Sequence, residues 1–261
     1  MNTYEKIYFE DFRKKYAYKK AVNLVEKVSR TIEVCDTKEK AHLLKSTIRV
    51  ATEIALAIGS ILSDQRRDFH YKIAIGQAYT LSKLLDEMQS EDFDDCNQII
   101  EEIIKLLRTY RKQLRTKESK QMKKVEIGDK LDISKIQEIV DGLKDSRTLK
   151  AYEKMIVFYT RLYAVLEELP FFEQYSVFSQ TQRAAESIIA NLAEGNGRQP
   201  YKLVVANFYS IALASAVEVQ AWLDVMRIKK YISEEEHKSF DSMLEEIKKL
   251  IIVYIKKVAV A

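Results

Sequence analysis

The sequence predicts an all-α protein built as two tandem antiparallel four-helix bundles, the first a divergent copy of the second. Three observations lead there. Only six glycines and two prolines occur in 261 residues, so few turns can be built and the elements between them must be long. Hydrophobic residues make up 47% and charged residues 31%, the balance of a folded chain rather than a disordered one. Apolar residues recur at three-and-four spacing, and short strings recur in the same order in both halves.

The repeat is read from four matches. FEDFRK at 9–14 resembles LKAYEK at 149–154, an offset of 140. TIRVATEI at 47–54 matches QRAAESI, with Arg49 over Arg183 and Ile54 over Ile188, an offset of 134. IAIGQA at 73–78 matches IALASA at 211–216, and EEIIKLLRTYRK at 101–112 matches EEIKKLIIVYIK at 245–256. Each is weak alone, but the order is kept. The expected division is therefore a bundle over 1–114, a basic linker over 115–146 with a short helix at Ser134–Gly142, and a bundle over 147–261.

In the first half the pattern predicts helices over roughly 4–34, 38–63, 68–89 and 92–114. In the second, Leu149, Tyr152, Ile156, Tyr159, Tyr163, Leu166 and Leu169 form the apolar face of a helix that Pro170 ends. A helix from about Ser176 carries Phe178, Ala184, Ala185, Ile188 and Leu192, with Gly195 placed for a left-handed C-terminal cap. The next starts at Pro200 or Tyr201 and runs to about Ile228, with small Ala206, Ser210 and Ala214 on one face for close approach of a neighbour. Ser233-Glu234-Glu235-Glu236 reads as a capping box opening the last helix.

Chemistry is not visible in this pattern. His42, His70 and His237 sit in charged neighbourhoods that read as exposed, without metal-ligand spacing. Cys35 and Cys96 show neither a metal pattern nor a disulfide framework, which suits a reducing cytoplasm and leaves one disulfide open. There is no P-loop, nucleophile elbow or dinucleotide fingerprint. Glu186 and Glu218, on otherwise apolar helices, read as buried carboxylates paired with an arginine such as Arg183. An enzyme would need them, or a histidine, in a polar cavity. No cofactor or metal is expected. The N-terminus is too charged for a secretory signal, and the longest apolar stretch is read as IALAIGSIL at 54–62, far short of a membrane span.

Charge says more. The net charge is only +4, yet Lys105–Lys124 holds nine basic residues, among them Arg108, Arg111, Lys112 and Arg115, against the single acid Glu118. Such a run reads as a polyanion contact or as a solvated helix end. The corner after Gly195 adds Arg198 and Lys202 beside Gly197 and a helix N-terminus, and Arg66 and Arg67 fall at the corresponding corner of the first half.

Residues 149–257 resemble the small four-helix-bundle proteins encoded in intervening sequences of large-subunit ribosomal RNA genes. The resemblance rests on S-Q-x-x-R-A-A-x-S-I-x-x-N-[LI]-A-E-G-x-G-R, present as Ser179–Arg198, and on Tyr231–Glu236. Arg183, Glu194, Gly195 and Gly197 stand in that signature, with Glu218 as Arg183's expected structural partner. The family includes the accessory variability determinant proteins of diversity-generating retroelements, which form basic pentameric barrels that bind nucleic acid and a reverse transcriptase. The resemblance thus implies a non-enzymatic, self-associating bundle with RNA or DNA as partner, RNA favoured, and a reverse transcriptase as a further partner. Arg49, Arg66, Arg67, Arg108, Arg111, Lys112, Arg115, Arg183, Arg198 and Lys202 would meet phosphates, and Tyr201 or Tyr209 could stack on bases. A protein–protein scaffold without nucleic-acid binding is the alternative. This chain departs from the family: Gln182-Arg183 replaces an arginine pair, Arg198-Gln199 a basic pair and Pro200 a polar cap, and the first half shows ILSDQRRD in place of A-E-G-x-G-R. Two unlike copies cannot fill five places evenly, which leaves a pseudo-dimer or a ring of altered number.

Overall fold

A computed structural model describes residues 11–31, 37–59, 64–88, 93–118, 145–198 and 201–260. It is all-α: the described residues form eight α-helices and no strand. They are α1 (Tyr16–Thr31), α2 (Thr37–Gly59), α3 (Asp64–Glu87), α4 (Asp94–Glu118), α5 (Lys150–Glu167), α6 (Ser179–Gly197), α7 (Lys202–Ile228) and α8 (Glu234–Val260). The helix expected at Ser134–Gly142 lies outside the described residues, as do Pro200 and Cys35.

The helices contact one another in two cycles of four. α1 packs on α2 and α4, with α3 closing between α2 and α4; α5 packs on α6 and α8, with α7 closing between α6 and α8. α2 joins the cycles by lying along α7, and α1 touches α7 as well. One hydrophobic cluster runs through both. α7 is therefore enclosed by α2, α6 and α8, and every residue from Ala212 to Met226 except Glu218 is buried. By length and composition α7 is apolar and long enough to cross a membrane, so the stretch at 54–62 is not the longest apolar one, as the sequence reading had it. Its burial against three helices accounts for that composition here.

Buried positions recur between the cycles at steady offsets. Ala151 follows Ala17 by 134 residues, as Ala184 follows Val50. Tyr209 follows Tyr71 by 138, and Leu244 follows Ile100 by 144. A short 3-10 turn precedes each cycle: Phe12–Lys14 before α1 and Ser146–Thr148 before α5. In both, an aspartate side chain caps the turn, Asp11 accepting from Arg13 N at 3.1 Å and Asp145 from Arg147 N at 2.9 Å. These turns are also 134 residues apart.

Several local expectations change. On α5 the buried stripe is Ala151, Met155, Phe158, Leu162 and Leu166. Ile156 is exposed, and Tyr152 and Tyr159 only border the core. Tyrosine at helical spacing marks the edge of the stripe, where its hydroxyl can stay wet. α5 ends before Pro170 as expected, and a 3-10 turn and a π-turn carry the chain over Phe171–Phe178 into α6. Gly195 is not a left-handed cap: α6 continues through it, and no described glycine has positive φ. A Cβ on Gly195 would lie 2.6 Å from Tyr209 Cε1, so the glycine lets the α7 ring reach the α6 backbone. Gly59 does the same between the cycles, where a Cβ would stand 2.7 Å from Phe12 Cδ1 and 2.9 Å from Val217 Cγ1. The capping box of α8 forms in both directions, Glu236 N to Ser233 Oγ at 3.1 Å and Ser233 N to Glu236 Oε2 at 2.8 Å.

Candidate nucleic-acid interface and the joint between the cycles

The basic residues singled out from sequence do not gather in one place. Arg183 opens α6 and Arg198 follows its end, 15 residues or about 22 Å apart along the helix. Arg183 Nη2 instead reaches Glu218 Oε1 on α7 at 2.7 Å, the structural pairing expected of it. Arg198 lies 5.0 Å from the Phe208 ring centre and 3.8 Å from Glu194, while Lys202 is exposed in the first turn of α7. Arg49 sits mid-helix on α2, half-exposed, 3.7 Å from Glu53.

On α3 and α4 part of the positive charge is held internally. Arg108 Nη2 donates to Tyr79 Oη at 2.6 Å, and Arg111 Nε donates to Asp68 Oδ1 at 2.7 Å. Arg111 accordingly holds the Asp68 carboxyl below the usual range, against the opposing effect of burial. Arg67 Nε donates to the Ala57 carbonyl at 2.9 Å, closing the C-terminal end of α2. Arg66 and Lys112 are exposed; the Arg115 side chain lies outside the described residues.

What sequence reasoning missed is a cleft of about 260 Å³ at this end of the first cycle. Lys15, Arg67, Tyr71, Tyr110 and Gln113 line it over Ile58 and Leu114. All five polar lining side chains can donate hydrogen bonds, and no carboxylate is among the described lining residues. Outside the lining, Asp64 stands 3.8 Å from Arg67. Lys15, Tyr71 and Tyr110 come from α1's approach, α3 and α4, so no local motif could have announced the site.

The second missed feature is the joint between the cycles. Arg13 donates through Nε to Asp224 Oδ2 at 3.0 Å and through Nη2 to Asp224 Oδ1 at 2.7 Å, while its Nη1 lies 2.7 Å from Asp241 Oδ1. Tyr18 Oη donates to Asp224 at 2.8 Å, and His237 Nε2 meets the same carboxylate at 2.7 Å. Burial alone would raise the Asp224 pKa; the bonds from His237, Arg13 and Tyr18 outweigh it, and the net shift is downward. Gln220 extends the network, donating to Asp241 at 2.6 Å and accepting from the buried Lys248 at 2.6 Å. His237 is thus buried rather than exposed, and His70 is half-buried, 2.7 Å from Glu53. Gln220 and Asp224, four apart on an otherwise apolar helix, were the one signal in the sequence.

Of the two carboxylates expected inside, Glu218 is mostly enclosed, and burial pushes its pKa up despite Arg183. Glu186 is exposed and accepts from Tyr159 and Gln182. Tyr209 is buried and cannot stack on a base; Tyr201 is exposed.

Residues 147–253 match the family model described as 23S rRNA-intervening sequence protein, less than half of the chain. No curated protein and no solved structure matches it.

Proposed function

We propose that this is a non-enzymatic nucleic-acid-binding accessory protein, RNA favoured, made of two tandem four-helix bundles of which the first is a divergent copy of the second. The donor-lined cleft of Lys15, Arg67, Tyr71, Tyr110 and Gln113 carries the reading. Its chemistry suits a phosphate of a polyanion, and the exposed Arg66 and Lys112 lie on the two helices that supply its walls. The family match over 147–253 supports the class of bundle, and the recurring buried positions support the tandem reading. Assistance to the reverse transcriptase of a diversity-generating retroelement, in the cytoplasm and without a cofactor, is the finer form of this proposal and rests on analogy alone.

Filter binding of the full chain to a structured RNA at low and high salt tests it. Affinity should fall as salt rises, and Lys15→Gln with Arg67→Gln should weaken binding and flatten the salt dependence by about one unit of slope per lost phosphate contact. Absence of binding at low salt would sink the reading. A neighbouring reverse-transcriptase gene would support the finer form.

A scaffold for a protein partner is the second reading. The observation favouring it is that Arg108, Arg111 and Arg183 bond to other side chains of the same chain, Tyr79, Asp68 and Glu218.

A further inference from the structure

The cleft at the end of the first cycle is ringed by all four of its helices. Lys15 stands immediately before α1, Ile58 is in the last turn of α2, Arg67 and Tyr71 lie in the first two turns of α3, and Tyr110, Gln113 and Leu114 lie towards the end of α4. α1 touches α2 and α4, and α3 touches both as well, so the ring closes on its sides. Ile58 and Leu114, both buried, make its floor. The described residues thus form a socket rather than a groove. Its volume of about 260 Å³ lies just below the roughly 300 Å³ at which small-molecule pockets begin. An internal phosphate of a nucleic acid has chain on both sides and needs an open track. A socket of this size admits a phosphate at the end of a strand.

The lining sets the charge the socket holds. Helix dipoles contribute little, because the N-termini of α1 and α3 and the C-termini of α2 and α4 meet at this end and oppose one another. Lys15 and Arg67 supply two positive charges, and Tyr71, Tyr110 and Gln113 supply neutral donors. The bond from Arg67 Nε to the Ala57 carbonyl fixes the guanidinium plane. Neither Nη of Arg67 hydrogen-bonds a described residue, Nη1 being 3.8 Å from Asp64. The Tyr110 hydroxyl and the Gln113 amide have no hydrogen bond among the described residues either. Tyr71 is buried, so part of the lining acts out of water, where a difference of one charge counts for more than on the open surface. A phosphomonoester carries about −1.5 to −2 charges at pH 7 and three terminal acceptor oxygens. An internal diester carries one negative charge and offers one oxygen fewer. Two cations and three further donors match the monoester and exceed what the diester takes up.

We propose that this cleft takes the terminal phosphomonoester of an RNA strand, so that the protein binds phosphorylated ends in preference to internal positions. The proposal rests on the nucleic-acid reading above and names the part of the RNA that enters the site. Arg66 and Lys112, exposed and next in the chain to Arg67 and Gln113, meet the strand as it leaves.

The test is binding of the full chain, by fluorescence polarisation at fixed low salt, to one short single-stranded RNA prepared in three forms: with a 5′ phosphate, with a 3′ phosphate, and with hydroxyls at both ends. The two phosphorylated arms identify which end is held. At least one of them should bind about tenfold more tightly than the hydroxyl form, the contribution of one further charge-assisted hydrogen bond. Gln113→Glu, an exposed change of nearly equal shape that sets a carboxylate in the lining, should bring that ratio close to one. Tyr110→Phe should lower it in part. Unchanged helical circular dichroism shows that both variants keep the fold. Three forms that bind alike overturn the end preference and leave general RNA binding standing. A preference that survives both substitutions means the phosphate sits elsewhere, and the proposal falls. If no form binds, the nucleic-acid reading falls and takes this proposal with it.

Discussion

Arg13 and Asp224, 211 residues apart, face each other as a fork on a carboxylate, with bonds of 3.0 and 2.7 Å. Such bidentate pairs are strong and directional, and this one fixes how the N-terminal turn sits on α7. Removing the guanidinium leaves a buried carboxylate with only Tyr18 and His237. Arg13→Ala should therefore destabilise the protein by about 3 kcal/mol, the low end for breaking a buried pair, read as a lower urea midpoint. A loss within 0.5 kcal/mol would mean the joint is held by Phe12 and the apolar contact alone.

Asp224 and Glu218 contribute to the pH dependence with opposite signs. Asp224 has a folded pKa below its unfolded value, so its contribution is present above the ordinary carboxylate pKa of about 3.9 and is lost as pH falls through the folded value. Glu218 has a raised folded pKa, so its ionised form costs stability, and that cost is relieved as pH falls through its folded value. Stability on acidification should first gain from Glu218 and then fall with Asp224. Melting temperatures across pH 3–7 check this: Glu218→Gln should abolish the gain and keep the fall.

The two signature glycines should respond in opposite ways to alanine. Gly195→Ala drives a methyl into the buried Tyr209 ring and should cost about 1–3 kcal/mol. Gly197→Ala meets nothing within 4 Å on a helical backbone and should be neutral or stabilising by up to about 1 kcal/mol. Thermal melts of the pair decide it, and equal losses would contradict the close-approach account.

Left-handed backbone does occur, at Lys230, with φ of 58°, where Tyr231 N bonds back to Met226 O at 2.9 Å to close α7. Lys230→Gly should raise stability by about 1 kcal/mol by removing the Cβ conflict, seen as a higher melting temperature. No gain would show that the lysine's conformation is free of strain.

Ser233→Ala removes the hydroxyl half of the α8 capping box and should cost about 1 kcal/mol in chemical denaturation. Glu236, whose pKa is held down by the Ser233 backbone and side chain, should titrate closer to its ordinary value in that variant.

What the sequence discloses and hides divides along range. Pro170 and the Ser233 box act within a turn or two of themselves, and the elements they mark stand where they are read. Gly195 is ambiguous from sequence because a glycine marks several backbone needs, and the one that applies depends on Tyr209, fourteen residues later. Arg13 lies in the charged N-terminal stretch with no local sign of its partners, which come from α7 and α8. The cleft under Lys15 and Arg67 likewise needs three helices to exist. Periodicity records which way a side chain faces, and carries nothing about which distant residue it will meet.

The fork between Arg13 and Asp224 also imposes a timetable. Asp241, the last of its acidic partners, is made 228 residues after Arg13, an interval of about 10–45 s at cellular synthesis rates. For most of that interval, from the synthesis of Gly59 to that of Ile228, the apolar side of α2 has been made and its covering helix has not been completed. The nascent chain must keep that surface from sticking elsewhere while it waits, which makes the pace of translation part of how this protein reaches its shape.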